Sequence, residues 1–318
     1  MGRLGERMKQ RNLGKSGLLV SAVGLGCNNF GGRIDLEASR KVIDKAIDLG
    51  ITLFDTADVY GDRGGSEKII GEVLGDRRKD IVLATKFRGQ MDSDGKLSGA
   101  SRRYIISAVE ASLTRLKTDW IDLYQVHFPD PLTPIEETLM TLDDLIKQGK
   151  IRYIGCSNFP AWQVVDAQWR AKTLGINGFV SCQDEYSLVS RDVEKELVPA
   201  TKEFGLGILP YFPLASGFLT GKYKRDVIPE GTRFNGNERF QSRYMTEKNW
   251  EIVDGLEAFA LKRDHTMLEL AFSWLAAQPT VSSVIAGATK PEQIEKNVTA
   301  ADWELTPAEV EEISKIAS

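Results

Sequence analysis

Four residues capable of acid–base chemistry stand at or just after the ends of short apolar segments. Asp55 and Tyr60 follow one such segment, whereas Lys86 and His127 each end another. If these segments are parallel strands of a barrel, their carboxyl ends open onto one face. We therefore expect a carboxylate, a phenol, an amine and an imidazole to converge there.

The same residues indicate how a tyrosine would act as a proton donor. A phenol has a reference pKa of about 10, so it gives up its proton poorly at neutral pH. A neighbouring ammonium favours the phenolate, and a carboxylate would hold that ammonium in place. We therefore predict that Tyr60 is a general acid assisted by Lys86 and Asp55. The simpler interpretations are a structural Asp55–Lys86 ion pair and an ordinary loop aromatic at Tyr60.

Composition argues against several classes of function. The chain has 318 residues and a net charge of −4, so it carries no basic field for binding nucleic acid or an anionic membrane. No segment approaches the ~20 apolar residues of a membrane-spanning helix, and no signal-peptide pattern begins the chain. We expect a cytoplasmic protein. The basic residues at positions 3, 7, 9 and 11 predict a solvated N-terminal tail.

Cysteine and histidine usage argues against a disulfide framework and a metal centre. Cys27, Cys156 and Cys182 lie at or near predicted strand ends, where small apolar residues pack well, and we expect reduced thiols. The chain has two histidines, His127 and His265, without the spacing of a zinc ligand set. A lone histidine on an apolar strand is often a core residue, but the position of His127 at a strand end favours a role in a barrel site.

Short apolar segments alternate with amphipathic ones after an opening hairpin at residues 8–21, which would plug the closed end of a barrel. Strands are predicted at residues 22–26, 51–54, 81–85, 121–126, 153–156, 178–182, 207–210 and 283–285. Helices are predicted at residues 36–49, 66–74, 101–116, 134–148, 160–174, 192–204 and 291–300. Eight alternations favour an α/β fold, a (β/α)8 TIM barrel that forms one domain over residues 1–318.

Two segments need separate treatment. Gly24-Leu25-Gly26-Cys27-Asn28-Asn29 lacks the third glycine of a Rossmann dinucleotide-binding turn, and we reject that fold. Residues 214–249 form a stretch too long for an ordinary barrel loop and rich in glycine and charge. Loops of this size are commonly lids or ligand clamps, so we predict a long clamping loop.

Several short motifs, in order and at strand ends, resemble those of the aldo-keto reductase family over essentially the whole chain. They are Phe-Asp-Thr-Ala (54–57), Tyr-Gly (60–61), Thr-Lys (85–86), the strand that ends in His127, Ile-Gly-Cys-Ser-Asn-Phe (154–159), Gln-Asp-Glu-Tyr-Ser-Leu (183–188), and the segments 213–222 and 287–293. The Leu-Thr-Gly-Lys sequence at 219–222 is similar to the subgroup of bacterial general reductases and channel-associated β subunits.

This resemblance implies NADPH-dependent interconversion of carbonyls and alcohols, without metal or flavin. In the implied mechanism, Tyr60 protonates the carbonyl oxygen as hydride arrives from the nicotinamide. Lys86, paired with Asp55, would depress the pKa of Tyr60, and His127 would orient the substrate oxygen. The implied partner is a small-molecule carbonyl substrate.

The resemblance also implies the cofactor residues. Ser157, Asn158 and Gln183 would hold the nicotinamide carboxamide, Tyr211 would stack on the ring, and Lys222 would contact the pyrophosphate. The other implied cofactor residues are Gly26, Cys27, Asn28, Asp55, Phe212, Pro213, Leu214, Ala215, Ser216, Gly217, Arg233, Gly287, Thr289, Lys290, Gln293 and Asn297.

Thr289 and Lys290 enter a predicted helix whose N-terminus favours anions. A hydroxyl and an ammonium there would suit a 2′-phosphate, so we expect NADPH to bind more tightly than NADH. The simpler interpretation is a capping threonine beside a solvated lysine. The substrate pocket is expected to be walled by Asn29, Phe30, Tyr60, Arg88, Phe128 and the segment from residue 300 onward.

Two departures from the family pattern concern the cofactor. Phe212 replaces a common serine, and Lys296 replaces a common glutamate near the adenine. Lys296 would add positive charge near a 2′-phosphate. The alternative function is a cofactor-binding, redox-sensing regulatory subunit, although its expected long N-terminal extension is replaced here by a short basic tail.

Overall fold

A computed structural model describes residues 8–225 and 227–318; the predicted tail residues Arg3 and Arg7 lie outside them. The predicted hairpin is present as β1 (Gln10–Asn12) paired antiparallel with β2 (Leu19–Ser21). Arg11, predicted to lie in a solvated tail, instead donates hydrogen bonds to the carbonyls of Ala276 and Val281. That prediction was wrong because β1 packs against the barrel.

Eight parallel strands form the barrel wall and confirm the predicted fold. They are β3 (Val23–Gly26), β4 (Leu53–Asp55), β5 (Val82–Phe87), β6 (Ile121–Val126), β7 (Ile151–Ser157), β8 (Ser181–Gln183), β9 (Gly207–Ile208) and β10 (Val284–Gly287). From β3 to β9 each strand pairs with the next, and β10 pairs with β3. Two further bonds close the wall between β9 and the approach to β10: Ile208 N donates to Thr280 O at 2.7 Å, and Ser282 N donates to Ile208 O at 3.0 Å.

The barrel interior is filled from the hairpin side. Leu13 and Val20 of the hairpin pack in one apolar cluster with inward-facing residues of the strands, including Leu53, Leu123 and Ile285. A larger apolar cluster lies between the strands and the surrounding helices. The hairpin thus plugs the amino-terminal end of the barrel, as predicted, and leaves the carboxyl end open for a site.

Eleven helices surround the strands in the described part of the chain. They are α1 (Leu36–Asp48), α2 (Tyr60–Leu74), α3 (Arg102–Leu116), α4 (Ile135–Lys147), α5 (Ala161–Leu174), α6 (Leu197–Phe204), α7 (Glu238–Tyr244), α8 (Glu247–Leu261), α9 (Met267–Ala276), α10 (Pro291–Thr299) and α11 (Pro307–Ile316). Four of them, α7, α8, α9 and α11, were not predicted. Thr266 and Thr306 form capping boxes at α9 and α11, a signal that the sequence does contain.

The long segment after β9 is ordered by aromatic packing. Phe234 contacts the rings of Phe218, Tyr223 and Tyr244, and Phe218 contacts Trp250. Before this cluster, several residues, Ala215 to Gly217 among them, have positive φ angles of 44° to 103°. The segment predicted to be one long loop therefore contains a tight left-handed turn and α7, anchored on a buried aromatic cluster.

Candidate active site

Asp55 and Lys86 meet at the carboxyl end of the barrel because their strands, β4 and β5, are hydrogen-bonded neighbours. Lys86 Nζ donates to Asp55 Oδ2 at 2.7 Å and to the carbonyl of Thr56 at 2.8 Å. The same Nζ lies 5.0 Å from the ring centroid of Tyr60. The three groups that the sequence predicts to act together are therefore in one cluster.

The lysine keeps its charge in spite of complete burial. Burial lowers the pKa of Lys86, but the Asp55 carboxylate and the Tyr60 phenol oppose this, and the net effect raises it. Burial also raises the pKa of Tyr60, and the positive charge of Lys86 works against that increase. Lys86 therefore acts in the predicted direction on the phenol, but in the protein alone burial has the larger effect.

The second oxygen of Asp55 is held by two amides. Gln183 Nε2 and Gln125 Nε2 donate to Asp55 Oδ1 at 2.9 Å and 3.1 Å. Gln125 was not among the predicted site residues. Its sequence signal is an uncharged polar side chain two residues before His127 in the predicted strand, and the structure shows that it is fully buried. With Lys86 on the other oxygen, the whole carboxylate is satisfied and oriented.

His127 packs against the ring of Tyr60. The two rings meet edge to face with centroids 5.8 Å apart, and Phe128 stacks on the other side of the imidazole at 4.5 Å. Burial, followed by the charges of Lys86 and Arg88, lowers the pKa of His127 to about 3. The imidazole is therefore neutral at neutral pH, with one N–H to donate.

A cavity of about 820 Å³ opens beside this cluster at the carboxyl end of the barrel. Most predicted site residues line it, and the lining reaches from the catalytic cluster to the start of α10. The predicted residues on its wall are Gly26, Cys27, Asn28, Asn29, Asp55, Tyr60, His127, Phe128, Ser157, Asn158, Gln183, Tyr211, Phe212, Pro213, Leu214, Ser216, Gly217, Lys222, Arg233, Gly287, Thr289, Lys290, Gln293 and Asn297.

One end of the cavity is a network of fixed polar side chains. Asn158, in a left-handed conformation at φ 60°, donates from Nδ2 to the carbonyl of His127 at 3.0 Å. Its Oδ1 accepts from the hydroxyl of Tyr211 at 2.8 Å, and Ser157 Oγ donates to the carbonyl of Gln183 at 2.8 Å. These bonds hold the predicted carboxamide-binding residues in place beside the catalytic cluster.

The middle of the cavity is lined by unpaired cations. Among the described residues, Arg33, Lys222 and Arg233 have no carboxylate within salt-bridge distance. Burial lowers the pKa of Lys222 and of Arg233, and Arg33 lowers both further through like-charge repulsion. Arg33, on the loop after β3, was missed by the sequence analysis. The cluster is typical of a site for anionic groups.

At the far end, the cavity reaches the N-terminus of α10. Lys290 is the N-cap residue and Pro291 begins the helix, so the simpler interpretation of Thr289 as the capping residue does not hold. Thr289 instead bonds through its backbone N–H and its hydroxyl to Gln293 Oε1, at 2.7 and 3.2 Å. Lys296 also lines the cavity, at the position where the family pattern has glutamate.

Several predicted positions lie off the cavity wall. Phe30 is fully buried in the core, and Ala215 is buried beneath its own loop. Arg88, at φ 91°, does not line the cavity, and its charge acts on His127 and Asp130. Lys86 is completely buried next to the ring of Tyr60 and does not line the cavity. Trp303 stacks on the ring of His265 at 3.9 Å, so the segment after residue 300 does not wall the pocket as predicted.

Comparisons with known proteins agree with this geometry. A sequence model of the Aldo/keto reductase family matches residues 22–318. This chain belongs to the aldo-keto reductase family. The aldo-keto reductase is 38% identical to a "Probable voltage-gated potassium channel subunit beta" of Arabidopsis thaliana, over 97% of this chain and 96% of that protein.

Bacterial relatives carry enzyme names. The "Aldo-keto reductase YhdN" of Bacillus subtilis is 35% identical over 97% of this chain and 93% of its own length. The "Uncharacterized oxidoreductase YrpG" of the same species is 34% identical over 94% and 92%. Family membership therefore supports an oxidoreductase, in a family that generally uses a nicotinamide cofactor. Within residues 8–225 and 227–318, the helices are all too short or too polar to cross a membrane.

The cavity residues fit a dinucleotide. Buried Asn29 Oδ1 has no hydrogen-bond partner at the cavity wall. A Cβ added to Gly287 would lie 2.9 Å from Asn28 Oδ1, so the glycine leaves space that a side chain would fill. The unpaired cations suit the phosphates, and the polar network beside His127 suits an amide-bearing ring.

Proposed function

We propose that this protein is an NADPH-dependent carbonyl reductase that converts small aldehydes or ketones to alcohols, with Tyr60 as general acid. The observation that carries the proposal is the Tyr60 phenol at the wall of the cavity, beside a fully buried Lys86–Asp55 pair. Burying an ion pair carries a desolvation cost, and buried charges that shift the pKa of a neighbouring group are concentrated at functional sites.

Ser157, Asn158 and Gln183 would hold the carboxamide of the nicotinamide, and Tyr211 would cover the ring. Arg33, Lys222 and Arg233 would bind the phosphates. When bound, the cofactor supplies the hydride that the carbonyl carbon receives. The remaining steps belong to the protein, which must orient the carbonyl and deliver a proton to its oxygen.

Tyr60 gives that proton. As negative charge develops on the carbonyl oxygen, the phenol O–H transfers its proton, and the Lys86 ammonium stabilises the phenolate that is left. The neutral His127 donates its N–H to the same oxygen and so fixes the angle of the carbonyl. Asp55 and its two glutamine partners keep Lys86 pointing at the phenol. In alcohol oxidation, the same groups act in reverse.

The cations support NADPH as the preferred cofactor. Lys290 and Lys296 line the end of the cavity at α10, where the helix N-terminus also favours an anion. A 2′-phosphate there would gain charge-assisted hydrogen bonds that NADH lacks. We also propose a cytoplasmic location, since Cys156 and Cys182 remain free thiols with sulfurs 3.6 Å apart.

The decisive experiment is consumption of NADPH, followed by its absorbance, with a panel of sugars, sugar phosphates and aromatic aldehydes. We expect turnover with at least one aldehyde and release of the corresponding alcohol. Binding of NADPH without consumption by any member of the panel would contradict the proposal.

That contradictory outcome would favour a cofactor-binding regulatory subunit, which the potassium-channel names of several relatives suggest. In that case the oxidised and reduced cofactors should change the affinity for a partner protein while turnover stays negligible. Measured turnover with a physiological aldehyde favours the reductase.

A further inference from the structure

A second carboxylate lies behind the catalytic cluster and has no role in the mechanism above. Asp58 follows β4 and stands two residues before Tyr60, with only 1% of its surface exposed. Its backbone N–H donates to the carbonyl of Lys86 at 3.0 Å, which ties it to the catalytic lysine. Neither oxygen of its side chain has a well-formed hydrogen bond, and the adjacent Val59 amide favours its ionised form.

The loop after β5 closes over this carboxyl group. A Cβ added to Gly89 would lie 3.1 Å from Asp58 Oδ1 and 2.1 Å from a methyl group of Val59, so only glycine allows this approach. The hydroxyl of Tyr104 donates to the carbonyl of Gly89 at 3.3 Å and holds the loop down. Asp58 is therefore sealed from solvent by packed backbone.

The neighbouring carboxylate of Glu67 accepts the hydrogen bonds of the nearby donors. Glu67 accepts from Thr85 Oγ1 and from Arg115 Nε, each at 2.6 Å. Both Glu67 oxygens are thus satisfied, and Arg115 forms its salt bridge with Glu67. An ionised Asp58 beside them would be a buried charge without a donor, a costly state.

All packed elements present titratable or charged groups to Asp58. These groups are Tyr60 and Glu67 from α2, Lys86 from β5, Tyr104 and Arg115 from α3, and Tyr124 from β6.

We propose that Asp58 is a positioning residue whose carboxyl group changes its protonation with pH and whose negative charge, once formed, keeps the Tyr60 phenol protonated. The inference rests on the proposed function, because it concerns the acid that Tyr60 supplies. Asp58 touches neither substrate nor cofactor and acts through Tyr60.

The direction of the effect follows from the charges. Burial, followed by the charge of Glu67, raises the pKa of Asp58 to about 7, against the opposing effects of the Val59 amide, Arg115 and Lys86. At lower pH, Asp58 is neutral. Above this pH its negative charge raises the pKa of Tyr60 further. Carbonyl reduction then continues to a higher pH than it would without Asp58, because the phenol keeps its proton.

The test compares Asp58→Asn with Asp184→Asn. Asp184 is a matched control: burial raises its pKa to about 8 and one of its oxygens has no partner, but its charge is not among the largest effects on the pKa of Tyr60. The titration of Tyr60 is followed by tyrosinate absorbance, taken as the difference between each protein and its Tyr60→Phe counterpart. This readout needs no turnover.

In Asp58→Asn we expect the Tyr60 midpoint to fall by about half a pH unit or more, and the alkaline limit of kcat/KM for reduction to fall with it. Asp184→Asn should leave both unchanged. An unmoved Tyr60 midpoint in Asp58→Asn overturns the inference, as does an equal shift in the control. If wild-type protein turns over no carbonyl, the proposed function fails while the titration still tests the effect on Tyr60.

Thermal stability gives a second readout. The folded protein holds the Asp58 proton up to a pKa of about 7, whereas an unfolded aspartate loses it near 3.9. Wild-type stability relative to Asp58→Asn should therefore fall as the pH rises from about 4 to 7 and then level off. A constant difference in Tm across that range overturns the inference. If Asp58→Asn does not fold, Asp58→Ser serves as the second variant, since it also removes the ionisable group.

Discussion

At the inner end of the cavity, the Lys86 ammonium is completely buried, and its carboxylate partner Asp55 is bonded on both oxygens. At the outer end, Arg33 and Lys222 keep contact with solvent and have no acidic partner among the described residues. The contrast follows from solvation. A buried charge needs a counter-ion that the protein itself supplies. An exposed cation is stabilised by water until an anionic ligand displaces that water.

This comparison predicts different failures at the two ends. Changes at the inner end should alter proton transfer and stability and leave cofactor affinity largely intact. Changes at the outer end should alter cofactor affinity and leave the proton-transfer step intact.

The largest effect is expected for Tyr60→Phe. Removing the phenol O–H should lower kcat for carbonyl reduction about 10²–10⁴-fold, while the dissociation constant of NADPH stays within about twofold. Stopped-flow turnover and quenching of tryptophan fluorescence measure the two quantities. Near wild-type turnover at saturating aldehyde would show that Tyr60 is not the acid.

Lys86→Met should impair both chemistry and stability. The variant leaves Asp55 buried without its cation, a change that typically costs about 3–5 kcal/mol. The pH profile of alcohol oxidation should also move to higher pH, because the charge that favours phenolate is gone. Chemical denaturation and the pH profile are the measurements. Retained activity with an unmoved profile would refute the role of Lys86.

Asp55→Asn should have a smaller effect on turnover than Lys86→Met, since Asp55 positions the lysine and does not touch the substrate. Its new amide would nevertheless face Lys86 or the donor amides of Gln125 and Gln183, so some loss of stability is expected. Steady-state kinetics and Tm of the two variants, measured side by side, decide the order. A larger kinetic loss in Asp55→Asn would assign Asp55 a direct part in catalysis.

At the outer end, wild-type protein should bind NADPH at least about tenfold more tightly than NADH, a difference of about 1.4 kcal/mol. Lys290→Ala should narrow this gap by weakening NADPH alone. The control is Lys248→Ala, which removes an exposed lysine of α8 that does not line the cavity. Fluorescence titrations with both cofactors test this, and equal wild-type dissociation constants would refute the 2′-phosphate assignment.

The smallest expected effect is that of salt. Raising ionic strength from about 0.01 M to 0.15 M shortens the Debye length from about 30 Å to 8 Å, so the exposed cations should lose several-fold in NADPH affinity. The kcat at saturating cofactor should stay nearly constant, because the Lys86–Asp55 pair is shielded from solvent. A kcat that falls in parallel with the affinity for NADPH would show that the two ends of the cavity do not differ in their response to salt.

Much of the site could be predicted because it lies at strand ends. Asp55, Lys86 and His127 end apolar segments, and parallel pairing brings such ends together without further information. Helices α7, α8 and α9 were harder, since they lie within or after a segment whose length suggested one long loop, and α11, which follows the last predicted helix, was missed as well. The capping boxes at Thr266 and Thr306 were the missed signal.

By itself, the sequence determined the alternation of strands and helices, the opening hairpin and the residues that meet at the barrel mouth, because these depend on local periodicity and chain order. Tertiary structure alone decided which side chains support them. Gln125 acquires its role by facing Asp55 across the barrel, and Arg33 by facing Lys222 and Arg233 across the cavity. Asp58 is left without a donor because Glu67 holds Arg115. Such roles depend on distance and solvation among residues far apart in the chain, which no local pattern records.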